Sequence, residues 1–268
     1  MNRENGQIFI WMNNSNDPNL ILYTNLSVNS YAIFVTTNGD IYVGSHPSVK
    51  QIIKSNQTIS ISIPSASSSH ILGIFVDINN TLYCSFSEQY KIVKKWLNDS
   101  SSTMTTVAGT GSAGSASNML NWAHGIFVDT NFDLYVADAS NNRIQLFRLG
   151  EINGTTIAGS TSANITISLS YPTAIILDGN KYLFITDAGN SRIVGSDENG
   201  FRCIIACSGS SGLTSYQLYG PRSIVFDSFG NLFVADQANH RIQKFCSSTN
   251  FCNNKRKKTM IRYFHLII

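Results

Sequence analysis

The sequence predicts an all-β fold in which short four-stranded sheets repeat and stack around an axis. Three observations predict it. The segment "LYVADASNNRIQLF" at 134–147 returns as "LFVADQANHRIQKF" at 232–245, with "LFITDAGNSRIV" at 183–194 between them. A short apolar element recurs ahead of these copies, as "AIFVT" (32–36), "GIFVD" (73–77), "GIFVD" (125–129), "AIILD" (174–178) and "SIVFD" (223–227). Charged residues make up only 13% of the chain, while Asn, Ser, Thr, Ile, Tyr and Phe abound, a mix that favours strands joined by polar turns over helices.

The apolar element sets the register. Its last residues are Thr36, Asp77, Asp129, Asp178 and Asp227, separated by 41, 52, 49 and 49 residues. Nine residues on stand Ser45, Phe86, Asp138, Asp187 and Asp236, and five beyond those stand the cations Lys50, Lys91, Arg143, Arg192 and Arg241. Agreement at two fixed offsets over most of the chain is a repeat signature. Within a unit, "GIFVD" is a short apolar run suited to a strand buried on both faces. "NFDLYVAD" follows a polar turn, a hairpin signal. "RIQLF" alternates polar and apolar and is half exposed. "TTVAG" or "TTIAG" closes the unit before a Ser/Gly-rich loop. Four short strands cannot bury their own faces, so copies must stack around an axis as the blades of a β-propeller.

An apolar strand ending in Asp, then "LYVAD", then "NxRI" resembles the NHL repeat, and "VADASNNRIQLF" and "VADQANHRIQKF" match it closely. The resemblance covers roughly residues 7–246. It implies a β-propeller, usually of six blades. The first two repeats depart from it: "YVGSHPSVKQI" and "YCSFSEQYKIV" keep the cation and lose the Asp and Asn, so their turns must be built differently. Aligning "NRENGQIFIW" with "DASNNRIQLF" sets Asn2 on Asp138 and Asn5 on Asn141, which reads residues 1–24 as a half-blade holding a third and a fourth strand. The propeller proper then covers 25–252, and 253–268 is a basic and apolar tail expected to be disordered. The fifth repeat shows three strands. Either residues 7–24 complete it and close a five-bladed ring, or the parent has six blades and the chain is truncated. The register favours the second, since an open ring would leave strand edges bare.

The formal charge of +3 comes from the tail, where Lys255, Arg256, Lys257, Lys258 and Arg262 lie; the remainder carries −2. Such a body is a poor binder of phosphate backbones. RNA binding, which some NHL propellers perform, is therefore disfavoured, unless Lys50, Lys91, Arg148 and Arg222 prove to cluster. No apolar run has the length of a membrane helix, and no signal-peptide pattern opens the chain. Seven Asn-x-Ser/Thr sequons occur, about what this composition yields by chance. The Asn/Ser/Thr-rich surface points to an extracellular origin if the N-terminus is incomplete, and a cytoplasmic one otherwise.

The turn residues Asp138, Asn141 and Arg143, Asp187, Asn190 and Arg192, and Asp236, Asn239 and Arg241 read as architecture. Asp and Asn bond turn backbone, Arg pairs with the Asp across the hairpin, and a catalytic site need occur only once. The histidines show no HxH or HxxxH spacing, and zinc needs three or four converging ligands. No metal, cofactor or catalytic residue is assigned. Cys203 and Cys207 flank a strand-like "IIA". In extended chain they lie about 13 Å apart, too far for a bridge unless a bulge or turn intervenes.

Trp122, His124, Tyr171 and Tyr219 come just before innermost strands. Together they are candidate partner-binding residues, because aromatic side chains at a channel mouth make good anchors. The expected function is a non-catalytic scaffold binding a protein, peptide or other ligand through loops on one face. The resemblance also admits a metal-dependent channel hydrolase or lyase, like the lactonase and amidating-lyase propellers.

Overall fold

The computed structural model describes residues 8–10, 20–23, 30–45, 48–52, 58–62, 69–99, 103–159, 162 and 167–246. The expected tail 253–268, Cys252 and most of the expected half-blade lie outside these residues. The fold is all-β, with five blades arranged as a propeller.

Blade one is β3 (Ser30–Val35), β4 (Ile41–Ser45), β5 (Ser48–Ile52) and β6 (Thr58–Ser62). Blade two is β7 (Ile71–Val76), β8 (Thr81–Phe86), β9 (Lys91–Trp96) and β10 (Thr105–Ala108). Blade three is β11 (Ala123–Val128), β12 (Leu134–Asp138), β13 (Arg143–Phe147) and β14 (Thr155–Gly159). Blade four is β15 (Pro172–Leu177), β16 (Leu183–Asp187), β17 (Arg192–Asp197) and β18 (Gly200–Ile205). Blade five has three strands among the described residues: β19 (Pro221–Phe226), β20 (Leu232–Asp236) and β21 (Arg241–Phe245). Each sheet is an antiparallel meander in chain order. A separate antiparallel pair is formed by β1 (Ile8–Ile10) and β2 (Leu20–Tyr23).

The recurrent Asp at the end of each first strand explains the first hairpin. In blades two to five one carboxylate oxygen accepts the backbone N–H groups two and four residues on, as from Asp129 to Asn131 and Asp133 and from Asp227 to Phe229 and Asn231. These bonds close the turn from inside. Blade one has Thr36 there, whose hydroxyl donates to the Asp40 carbonyl instead.

Apolar side chains pack between blades rather than within them. Tyr83 and Ile92 of blade two join the cluster of Ile126, Leu134 and Val136 of blade three. Tyr135, Ala137 and Ile144 of blade three meet Ile175, Leu183 and Ile185 of blade four. Ile193 of blade four meets Ile224, Leu232 and Val234 of blade five. Inner strands come close where the repeat carries glycine. A Cβ on Gly73 would lie 2.4 Å from the His124 carbonyl, and one on Gly125 would lie 2.6 Å from that of Thr173.

The structure decides the question of Cys203 and Cys207. They are bonded, with Cα atoms 5.7 Å apart. A register shift between β17 and β18 falls at this point, and Ala206 takes a left-handed φ of 58°. The chain turns where a straight strand would have held the sulfurs apart. Cys246 is also disulfide-bonded, whereas Cys84 is a buried free thiol.

Candidate functional site

Two kinds of segment meet on one face of the propeller: the single-turn 3-10 helices that follow the second strand in blades two to five, and the linkers that lead into the first strands. We call this the linker face. In blade three, Asp138 ends β12, and its carboxylate accepts Asn121 N–H at 2.7 Å, Asn141 Nδ2 at 2.8 Å and Arg143 Nε at 2.7 Å. Arg143 then donates to the carbonyls of Ser115, Ala116 and Met119, and Asn141 to that of Gly114. Blade five repeats this: Asp236 holds Tyr219 N–H, Asn239 and Arg241, and Arg241 reaches Leu213, Thr214 and Gln217 carbonyls. In blade four Asp187 holds Ser170 N–H, Asn190 and Arg192, and Arg192 reaches the Ser168 carbonyl. All three sets are thus engaged with turn and linker backbone.

Blade two lacks the Asp, and its turn is built another way. Phe86 takes the Asp position and is fully buried. Glu88, two residues later, accepts from Ser69 Oγ, His70 N–H, Ser87 Oγ and His70 Nδ1. A glutamate in the helical turn thereby does for the linker what the aspartate at the strand end does elsewhere. The corresponding turn of blade one includes residues outside those described.

The side chains that open onto the axis differ from blade to blade. At the second position of each first strand stand Tyr31, Leu72, His124, Thr173 and Arg222. Two residues before His124, Thr173 and Arg222 stand Trp122, Tyr171 and Gly220, all with left-handed φ. His124 and Tyr171 are brought together, Nε2 to Oη at 3.2 Å with rings 5.3 Å apart. Trp122 is half-buried. Tyr219 is one residue out of register with Trp122 and Tyr171; its backbone aligns with Asn121 and Ser170, and its side chain is 52% exposed on the rim. His70, beside Glu88 and edge-on to Tyr31 with centroids 4.5 Å apart, and Arg222, named from the sequence only as one of four basic residues, belong to the mouth but were not among the partner-binding candidates. Reading the second-position column across all five repeats would have found Tyr31 and Arg222.

Electrostatics at the mouth follow from burial. His124 is 2% exposed, and burial, helped by the Arg222 charge and opposed by Glu88, holds its pKa down to about 3. Burial alone would raise Glu88, but the bonds from His70, Ser69 and Ser87 outweigh it and bring the carboxyl down to about 2. Between its ordinary 6.5 and about 3, the unfolded chain takes up a proton at His124 that the folded chain refuses, so stability falls with pH across that window. Glu88 adds a second loss from 4.5 down to about 2. Urea midpoints are expected to drop as pH falls from 6.5 to 4.5, and His124→Phe to flatten that segment. Equal slopes for the two proteins would remove His124 from the account.

The first strands enclose an axial cavity of about 480 Å³. Below the mouth its wall is apolar, with Phe34, Phe75 and Phe127 in sequence at centroid separations of 4.9 and 5.2 Å. Phe233, Ala235 and Ile242 also line it. In blades two to four the equivalent positions are covered by the next blade. Lys91 begins β9 on the linker face, while Arg148 lies at the far end of its blade, 3.9 Å from Asp133, so the basic residues do not gather. Among the described residues no three His, Cys, Asp or Glu side chains come together as metal ligands, and no helix is long and apolar enough to cross a membrane.

Residues 218–245 match the NHL repeat. No curated protein matches the sequence. Among solved structures, virginiamycin B lyase from Staphylococcus aureus is similar at TM-score 0.58 and 16% identity over 82% of this chain and 67% of the lyase. An auxiliary nutrient binding protein from Bacteroides thetaiotaomicron gives 0.63 and 13%, over 84% of this chain and 60% of that one. A chain of the nidogen/laminin complex gives 0.59 and 16%, over 77% and 73%. This chain therefore spans about two thirds or less of the lyase and nutrient-binding chains. At such identities the shared feature is the fold.

Proposed function

We propose that this NHL-repeat β-propeller is a non-catalytic binding scaffold that recognises a protein or peptide through its linker face. The linker into blade five carries the reading. Leu213, Tyr216 and Tyr219 are 71%, 65% and 52% exposed, yet their backbone is pinned by Arg241 at three carbonyls, by Asn239 at Gly212 and by Gln243 at Gln217. Exposed aromatic and aliphatic side chains on a backbone already ordered bind at low entropic cost. The constant Asp–Asn–Arg sets serve as frame, and the side chains that vary between blades serve as reader. The likeness in fold to an auxiliary nutrient binding protein and to a chain of a nidogen/laminin complex supports the binding reading. The lyase lends the enzyme reading its fold alone, and the carboxylate at this mouth, Glu88, is engaged by its own loop. Among the described residues the basic side chains do not gather into the face that RNA binding would need.

Peptides selected on the wild-type protein from a displayed library test this. Leu213→Ala/Tyr216→Ala/Tyr219→Ala is expected to weaken them about tenfold or more. Ile78→Ala/Phe229→Ala, on the opposite hairpins, is expected to leave them unchanged. The reverse pattern would move the site to the other face.

We also infer a six-bladed plan, with β1–β2 as the outer pair of a sixth blade between blades five and one. Ile41, Val43 and Ile52 are 7%, 0% and 3% exposed, on the face of blade one turned away from blade two, and none belongs to a described inter-blade cluster. Removing residues 1–24 is expected to uncover them and lower the urea midpoint. An unchanged midpoint would overturn this placement.

A further inference from the structure

Three of the seven Asn-x-Ser/Thr sequons begin at described residues, Asn79, Asn98 and Asn153, and the other four lie outside them. Their number decides nothing, but their positions do. All three stand in exposed turns at the end of the propeller opposite the linker face: Asn79 between β7 and β8, Asn98 between β9 and β10, and Asn153 between β13 and β14. Turn formation does not call for asparagine there. The Asp77 carboxylate closes the first turn on the N–H groups of Asn79 and Thr81. Backbone bonds close the others, Asp99 N–H to the Trp96 carbonyl and Glu151 N–H to the Arg148 carbonyl. Asn153 accepts Ser117 Oγ through its Oδ1, which leaves its Nδ2 out of that bond. Each sequon also adjoins exposed apolar surface. Trp96, 54% exposed, stands two residues before Asn98, and its Nε1 donates to the Asn79 carbonyl, so one indole borders two sequons. Ile78 precedes Asn79 at 80% exposure, and Ile152 precedes Asn153 at 73%. Exposed apolar side chains gathered in this way mark a surface that something covers. The bond between Cys203 and Cys207, and that of Cys246, belong to an oxidising compartment, which is also where sequons are used.

We propose that Asn79, Asn98 and Asn153 carry N-linked glycans whose first sugars lie on Trp96, Ile78 and Ile152. The donor is an oligosaccharide on a polyprenyl diphosphate. The side-chain amide nitrogen forms the bond to its anomeric carbon, the bond from that carbon to the diphosphate oxygen breaks, and the amide proton passes to a base of the transferase. The apolar C–H face of a sugar ring matches the flat face of an indole, and bringing the two together removes apolar surface from water. The described linkers hold no sequon, so the glycans stand on the side away from the linker face, and the proposal does not depend on peptide recognition there.

Peptide mapping of the full chain isolated from its own cells tests this without any variant. Peptide:N-glycosidase in heavy-oxygen water labels a glycosylated asparagine as it removes the glycan and leaves a bare one unlabelled. Label is expected at Asn79, Asn98 and Asn153; bare asparagine at two or more of them would overturn the proposal. The sugar contact is read by quenching of tryptophan fluorescence with acrylamide, a neutral quencher, before and after the same glycosidase. Quenching is expected to rise when the glycans are removed, and the rise to disappear in Trp96→Phe, a conservative change at an exposed position. No rise, or the same rise in Trp96→Phe, would overturn the placement of a sugar on Trp96. Neither readout involves Leu213, Tyr216 or Tyr219, so failure of the linker-face reading and failure of this one are told apart.

Discussion

Asp138→Ala is expected to cost about 3–5 kcal/mol, because it strands a buried guanidinium rather than merely removing a bond. Arg143 is 3% exposed and its Nε faces the Asp138 carboxylate at 2.7 Å. The same carboxylate holds Asn121 N–H and orients Asn141. Removing it leaves one buried cation, one amide donor and one backbone N–H short of an acceptor. Blade four supplies the comparison. Arg192 is 21% exposed and reaches one linker carbonyl among the described residues, so water can replace part of what Asp187 provides. Asp187→Ala is expected to cost less than Asp138→Ala in urea unfolding. Equal losses would mean that burial of the guanidinium is not what sets the penalty.

Gly73→Ala is expected to cost about 3 kcal/mol, the upper end for one methyl forced into packed structure. The new Cβ would lie 2.4 Å from the His124 carbonyl oxygen and 3.2 Å from Gly125 Cα. Both are backbone atoms of the neighbouring inner strand, and the His124 carbonyl also accepts Ser85 Oγ at 2.7 Å. No side chain can rotate away; two blades must separate. Gly179→Ala meets nothing within 4 Å and is expected to change stability by no more than about 0.5 kcal/mol. A similar small effect at Gly73 would show that the inner strands can shift at little cost.

The repeat register was legible in the sequence because the same residues do the same backbone work in each late blade. Asp129, Asp178 and Asp227 close hairpins, and Asp138, Asp187 and Asp236 hold linkers; backbone geometry is constant, so its partners recur. The candidate mouth was legible only in part. His124 and Tyr171 were found as aromatic residues near a strand start, but Tyr31 and Arg222 share a structural position with Leu72 and Thr173, chemistry that no motif unites. Glu88 escaped because it replaces an aspartate from two residues further on, which breaks the spacing while keeping the bonds. The Cys203–Cys207 bond escaped because it depends on a bulge and on Ala206 turning left-handed, and an alanine gives no sign of that in advance.

The linker clamps bear on how the chain reaches its fold. Asp138 closes onto Asn121, and Arg143 onto Ser115, across 17 and 28 residues; blade five repeats these spans at Tyr219 and Leu213. Every strand pairs with its neighbour in sequence. The loops closed are short, so the entropy lost in closing them is small, and contacts of low sequence separation form early. A blade together with its incoming linker is thus a local unit whose backbone bonds can form early, while its apolar faces stay uncovered until a neighbouring blade packs on them. Blades one to five can therefore pack in the order in which they are made, whereas β1–β2, made first, would wait for blade five before the ring could close.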